Sequence, residues 1–113
     1  MCEVKPHQFE KDLTFRTGDA SRIVGQRVKV GQVLKITHIA GGFDQLATTE
    51  YVELGYWNGH AYVPLKTDNP DATGYLIHWD GEVYLREGQY AYAYMSDVAN
   101  GEVMRLRVLG KYE

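Results

Sequence analysis

The sequence predicts an all-β domain: an antiparallel β-sandwich, jelly-roll-like, or a small barrel, built largely from tandem hairpins. Three observations carry that expectation. β-Branched and aromatic residues recur in short runs with period-two alternation. Asn-Gly, Asp-Gly and Gly-Gly steps separate those runs, at places where tight turns need positive φ. No stretch shows a convincing amphipathic-helix period. Composition agrees, since nine Tyr, two Trp and twelve Gly stand against three Pro; aromatics suit pleated, half-buried surfaces and glycines suit turns.

Taken in order, the first twelve residues, MCEVKPHQFEKD, are polar and carry Pro6. Residues 1–12 are expected to form an N-terminal arm, mobile or ordered as a strand only against a partner, ahead of a single domain over 13–113. Leu13 and Phe15 alternate with Thr14 and Arg16, a short strand signal. Residues 17–22 read as a turn, and the one allowance for helix is a single turn after Asp19. Val28 and Val30 precede Gly31, and Val33-Leu34-Lys35-Ile36-Thr37-His38-Ile39 is a β-rich run that Gly41-Gly42 breaks. A loop from Phe43 to Ala47 leads into 48–56, where Tyr51 and Glu53 alternate with Val52 and Leu54.

Three hairpins are expected next. Trp57-Asn58-Gly59-His60 places Asn-Gly between two β runs, and Trp79-Asp80-Gly81-Glu82 does the same with Asp-Gly. A third would join 89–95 to 102–109 through 96–101. The first two share W-[ND]-G-x-[AV]-Y-[VL], too few copies for a solenoid or propeller. Tyr90, Tyr92 and Tyr94 share one face of their strand, and Ala91 and Ala93 the other; the small residues would let a second layer approach closely. Met104, Leu106 and Val108 likewise oppose Arg105 and Arg107.

A chain of 113 residues buries about two-thirds of the surface its unfolded form exposes, enough for one core without staples. The net charge of −3 gives no ground for a nucleic-acid partner, which calls for clustered Lys and Arg. Arg105, Arg107 and Lys111 on one side of a strand read as a solvated face. Cys2 is the single cysteine, so neither an intrachain disulfide nor a cysteine metal site can form. The opening residues lack the apolar core of a signal peptide, and no apolar run is long enough to span a membrane. The expectation is a protein made in a cytoplasm, with no membrane partner.

Catalytic and metal motifs do not assemble. His7, His38, His60 and His78 show no zinc spacing. Bringing His60, His78, Asp80 and Glu82 together would require the two hairpins to pack side by side, and surface histidines at hairpin ends explain the same residues. Asp68-Asn69-Pro70-Asp71 is rich in oxygen ligands but lacks an EF-hand pattern and reads as a solvated turn. Ser21 and Ser96 lie outside G-x-S-x-G, and the carboxylates give no sign of a facing pair. No metal, cofactor or catalytic group is expected. The aromatic side chains are the stronger signal: Tyr and Trp join an apolar body to a polar tip and are enriched at interfaces. Tyr56, Trp57, Tyr62, Trp79 and Tyr84 form the candidate binding surface, with Trp57 and Trp79 as its exposed leaders.

The hairpins, the segment Gly81-Glu82-Val83-Tyr84-Leu85-Arg86-Glu87-Gly88-Gln89-Tyr90 and the ending Gly101-Glu102-Val103-Met104-Arg105-Leu106-Arg107-Val108-Leu109-Gly110 resemble the small β-sandwich virion proteins of tailed bacteriophages, of the capsid-decoration or head/tail accessory type. The likeness covers residues 28–110 in style, without a diagnostic motif, and carries over no site residue. It implies an oligomeric structural protein in the virion, docked on a capsid or tail lattice through sheet edges, aromatic hairpin tips and the N-terminal arm. Two other readings stand beside it. One is a carbohydrate-binding module that stacks sugars on Trp57, Trp79 and nearby tyrosines. The other is a small cupin-like metal-dependent enzyme, which needs His38, His60 or His78 to converge inside a barrel.

Overall fold

The computed structural model of the chain describes residues 5–14, 16, 21–43, 51–69, 76–96 and 101–113. Among the described residues eight strands follow one another: β1 (Lys5–Thr14), β2 (Arg22–Val24), β3 (Leu34–Phe43), β4 (Val52–Trp57), β5 (Tyr62–Asp68), β6 (Leu76–Leu85), β7 (Tyr90–Met95) and β8 (Val103–Tyr112). They form two four-stranded antiparallel sheets, ordered β1-β8-β3-β6 and β2-β7-β4-β5. That order is a jelly roll, the doubled Greek key in which successive strands change layer except at the β4–β5 hairpin. Cys2, Phe15, the helical turn after Asp19 and the Pro70-Asp71 part of the oxygen-rich loop lie outside the described residues.

The core fills the space between the sheets. Met104, Leu106 and Val108 of β8, Ile36 and Ile39 of β3, Val52 and Leu54 of β4 and Ala91, Ala93 and Met95 of β7 belong to one buried cluster. Each Leu or Ile so buried contributes roughly 1.5–3 kcal/mol from area alone. Ile36 and Ile39 are three apart, which strict alternation would put on opposite faces. A register shift between Ile36 and His38 inserts Thr37 as an extra residue against β8 and restores the phase, so both isoleucines point inward. The small faces meet where the alanines predict: a Cβ built on Gly41 would lie 2.7 Å from Ala93 Cβ and 2.9 Å from Leu54 Cδ2.

Several expectations need correcting. Gly41-Gly42 does not end the strand: both residues lie within β3 and pair with Leu106 and Arg105. Tandem hairpins do not build the fold, because β4–β5 is the one link that joins neighbours within a sheet. Asp80-Gly81 is not a turn. It lies inside β6, where Gly81 and Glu82 together oppose Thr37 of β3 as a bulge, and the Trp79 ring packs on Gly81. Glycine within a strand marks such bulges and close approaches as readily as it marks turns. The 89–95 and 102–109 runs do not pair with each other; β7 and β8 belong to different sheets. The shared W-[ND]-G motif is therefore a likeness of sequence between a hairpin and a bulged strand.

The Asn58-Gly59 hairpin is present, with four loop residues between the paired Trp57 and Tyr62 rather than two. Asn58 Oδ1 accepts from the backbone N–H of His60 (2.8 Å) and Ala61 (2.9 Å), and Gly59 takes φ 101°. This is an Asx turn, built by a side chain standing in for backbone.

Residues 5–14 are not a free arm either. β1 pairs with β8 from Lys5↔Tyr112 to Thr14↔Val103, and Phe9 and Leu13 pack on the core. Its polar composition reflects an edge position, with exposed Lys11 in the register between those two apolar residues. His7 is buried on this strand, edge-on to Tyr112 with ring centroids 5.3 Å apart. Burial lowers its pKa from 6.5, because desolvation disfavours the imidazolium. The unfolded chain then takes up this proton first as the pH falls. The stability due to His7 is whole above pH 6.5 and is lost as the pH drops through its lower folded value. We expect the urea midpoint to fall between pH 7.5 and 5.5, and His7→Phe to reduce that fall; an unchanged pH slope in His7→Phe would contradict the assignment.

Candidate functional site

The outer faces of the two sheets differ in kind. On the β1-β8-β3-β6 sheet the outward residues are mostly polar and charges answer one another, Arg105–Asp12 (3.8 Å), Arg107–Glu10 (3.9 Å) and Lys35–Glu82 (3.1 Å), while His38 Nδ1 hydrogen-bonds with Asp80 Oδ1 (2.7 Å). Exposed pairs of this sort contribute about 0–1 kcal/mol each and keep the face wet. The outer face of the β2-β7-β4-β5 sheet is aromatic.

Alternation and register build that second face. With Ala91, Ala93 and Met95 inward, Tyr90, Tyr92 and Tyr94 point out; with Val52 and Leu54 inward, Glu53, Gly55 and Trp57 point out. Cross-strand pairing aligns Arg22 with Tyr94, Tyr94 with Glu53, Tyr92 with Gly55, Tyr90 with Trp57, and Trp57 with Tyr62. The rings form a continuous layer. Trp57 lies 4.8 Å from Tyr62 and 6.4 Å from Tyr90, and Tyr62 stands edge-on to Tyr92 at 4.9 Å. The Tyr62 and Tyr90 hydroxyls meet at 3.2 Å, and Tyr92 donates to Glu53 Oε2 at 2.6 Å. Gly55 leaves space for Tyr92: a Cβ there would meet the Tyr92 hydroxyl at 2.9 Å and also the Val63 carbonyl oxygen.

Two guanidinium groups lie on this layer. Arg22 Cζ sits 3.6 Å from the Tyr62 centroid and 5.1 Å from those of Tyr92 and Tyr94. Arg27 Cζ sits 4.8 Å from the Tyr90 centroid and donates through Nη1 to the Gly88 carbonyl at 3.4 Å. Gln89 ties the hairpin to the layer by donating to the Asn58 carbonyl at 2.8 Å.

Burial first, and then the hydrogen bond to Glu53, raise the Tyr92 pKa above its ordinary 10.0. The folded state thus favours the phenol, and its contribution is intact below pH 10 and lost as the pH rises from there through the folded pKa. Tyr92→Phe is expected to cost about 1.5 kcal/mol at neutral pH, the scale of a hydrogen bond to a charged group, and to flatten the alkaline unfolding curve. An alkaline midpoint that stays put in Tyr92→Phe would refute this.

Of the five aromatic candidates the structure brings two together, Trp57 and Tyr62, both half-buried on the aromatic face. Tyr56 and Trp79 pack against the core, so Trp79 is not an exposed hairpin tip. Tyr84 is 49% exposed, but on β6 of the opposite sheet. Sequence reasoning left Arg22, Glu53, Tyr90, Tyr92 and Tyr94 off the candidate surface. The alternating Tyr-Ala-Tyr-Ala-Tyr run could have brought in the tyrosines; nothing local marks Arg22.

The histidines do not converge inside the sandwich. His38 and His78 neighbour each other near Asp80 on the outside of β3 and β6, with ring centroids 5.4 Å apart, and His60 is exposed at the β4–β5 hairpin. Among the described residues no three His, Cys, Asp or Glu are placed to share a metal ion, and no helix is long and apolar enough to cross a membrane. No protein-family model matches the chain, and comparison with curated proteins finds no match.

Proposed function

We propose that the chain is a non-catalytic docking protein of a larger assembly, a virion accessory protein in the sense its resemblance implies, and that the outer face of the β2-β7-β4-β5 sheet meets a protein partner. One observation carries this reading: a face that a sandwich ordinarily gives to polar residues bears half-buried Trp57, Tyr62 and Tyr94 over buried Tyr90 and Tyr92, with two arginines laid on the rings. Trp, Tyr and Arg are the side chains that dominate protein–protein hot spots. The edges support the face over edge-to-edge docking, since each is blunted: β1 by Lys11, β6 by its bulge, β5 by Pro64 and β2 by its three-residue length.

The same stacking weighs against a sugar platform. Arg22 at 3.6 Å covers the Tyr62 ring face that a pyranose would need. The test is co-purification of the chain with virions of the genome that encodes it, beside Trp57→Ala. The wild type is expected in the particles and Trp57→Ala in the supernatant. Absence of the chain from particles would remove the virion setting, and undiminished retention of Trp57→Ala would remove the face.

A further inference from the structure

We infer that the partner segment received by this face is acidic, a stretch of polypeptide carrying at least two carboxylates; the inference rests on the docking reading above. The two sheets use arginine in opposite ways. On β8, Arg105 and Arg107 each have a carboxylate across the strand pair, Asp12 at 3.8 Å and Glu10 at 3.9 Å. On the aromatic face, no carboxylate among the described residues lies within ion-pairing distance of Arg22 or Arg27. Glu53 shares the face, and its Oε2 accepts from Tyr92.

Arg22 is half-buried, and its Nε, like that of Arg105, is enclosed without a hydrogen-bond partner; what sets Arg22 apart is that it has no facing carboxylate of the kind Asp12 gives Arg105. A guanidinium taken out of water needs compensation. Here the rings of Tyr62, Tyr92 and Tyr94 supply part of it through their π faces. Stacking occupies the plane of the guanidinium, whereas a carboxylate binds its edge, so the two interactions are compatible on one side chain.

The two cations also belong to one layer. Arg22 lies on Tyr62, Arg27 lies on Tyr90, and those rings are joined through their hydroxyls at 3.2 Å with Trp57 beside both. A segment with spaced carboxylates would engage both arginines while its backbone and apolar atoms cover Trp57. The chain as a whole carries −3, so this attraction is local to the face and opposite in sign to the molecule's net charge.

Titration calorimetry of the full chain with a short oligoglutamate peptide tests the inference, with a polyuronate oligosaccharide as the carboxylated glycan control. Binding of the peptide is expected to weaken with added salt and to fall roughly tenfold in Arg22→Gln and in Arg27→Gln. Arg22→Lys is expected to fall as well, because an ammonium lacks the planar fork, and Arg107→Gln on the opposite face to bind as the wild type. Arg27 lies outside the strands, so Arg27→Gln keeps the test usable if Arg22→Gln does not fold. Absence of peptide binding, binding indifferent to Arg22 and Arg27, equal loss in Arg107→Gln, or binding of the polyuronate in place of the peptide would each overturn the inference. Failure of oligoglutamate while Trp57→Ala still releases the chain from virions would overturn the acidic partner alone. Retention of Trp57→Ala on virions would overturn the docking reading itself.

Discussion

Gly41→Val is expected to destabilise the fold by about 3 kcal/mol or more, the upper end of what overpacking a core costs, and to lower the recovery of soluble protein. Gly41 stands where β3 approaches Ala93 and Leu54 of the other sheet. A bare Cβ there already falls 2.7 Å from Ala93 Cβ and 2.9 Å from Leu54 Cδ2, with the Arg105 carbonyl oxygen at 3.3 Å. Relief is blocked on every side, because Ala93 cannot be made smaller without glycine, Leu54 is fully buried, and the carbonyl belongs to β8, the central neighbour of both β1 and β3. Valine adds two methyl groups to that space. Chemical denaturation of Gly41→Ala and Gly41→Val checks the point: cost should rise with side-chain size, and a Gly41→Val midpoint equal to the wild type would show that the sheets are not held this close.

The second large effect is on docking. Trp57→Ala is expected to weaken association with the partner by about 2–4 kcal/mol, the range of a hot-spot residue. Fold stability should change less, since Trp57 is half-buried on an outer face and the inward residues of β4, Val52 and Leu54, are left in place. Trp57 touches both Tyr62 and Tyr90, so its loss also loosens the rings that carry the two arginines. Affinity and unfolding midpoint, measured on the same variant, separate the two roles. A midpoint that collapses while residual affinity tracks the folded fraction would make Trp57 a structural residue only.

How much of this was legible in the sequence depended on the range of the interaction. Alternation is local, and it assigned the two faces of β7 and β8 correctly: Ala91 and Ala93 do admit a second layer, and Met104, Leu106 and Val108 do face the core. Pairing is not local. Asp80-Gly81 has the chemistry of a turn, yet β6 finds its partner in β3, more than forty residues earlier, and the glycine serves a bulge beneath Trp79. A visible clue was the phase break from Ile36 to Ile39, which no unbulged strand with one buried face can accommodate. β1 was obscured by its place at an edge, where charges such as Lys11 are favoured and only Phe9 and Leu13 report the core. The candidate surface was half legible for the same reason. The tyrosine run announces a face, but the strand order decides that Trp57 and Tyr62 join it while Tyr56 and Trp79 turn inward, and that Arg22 arrives from β2.

Oxidative footprinting of side chains, on the free chain and on the chain mixed with the virions proposed to hold it, shows which face docks. Trp57 and Tyr62 are expected to be protected on binding, with Tyr84 and His78 of the opposite sheet as reactive as before. Protection confined to Tyr84, His78 and the β1-β8-β3-β6 face, with Trp57 and Tyr62 unchanged, would contradict docking through the aromatic face.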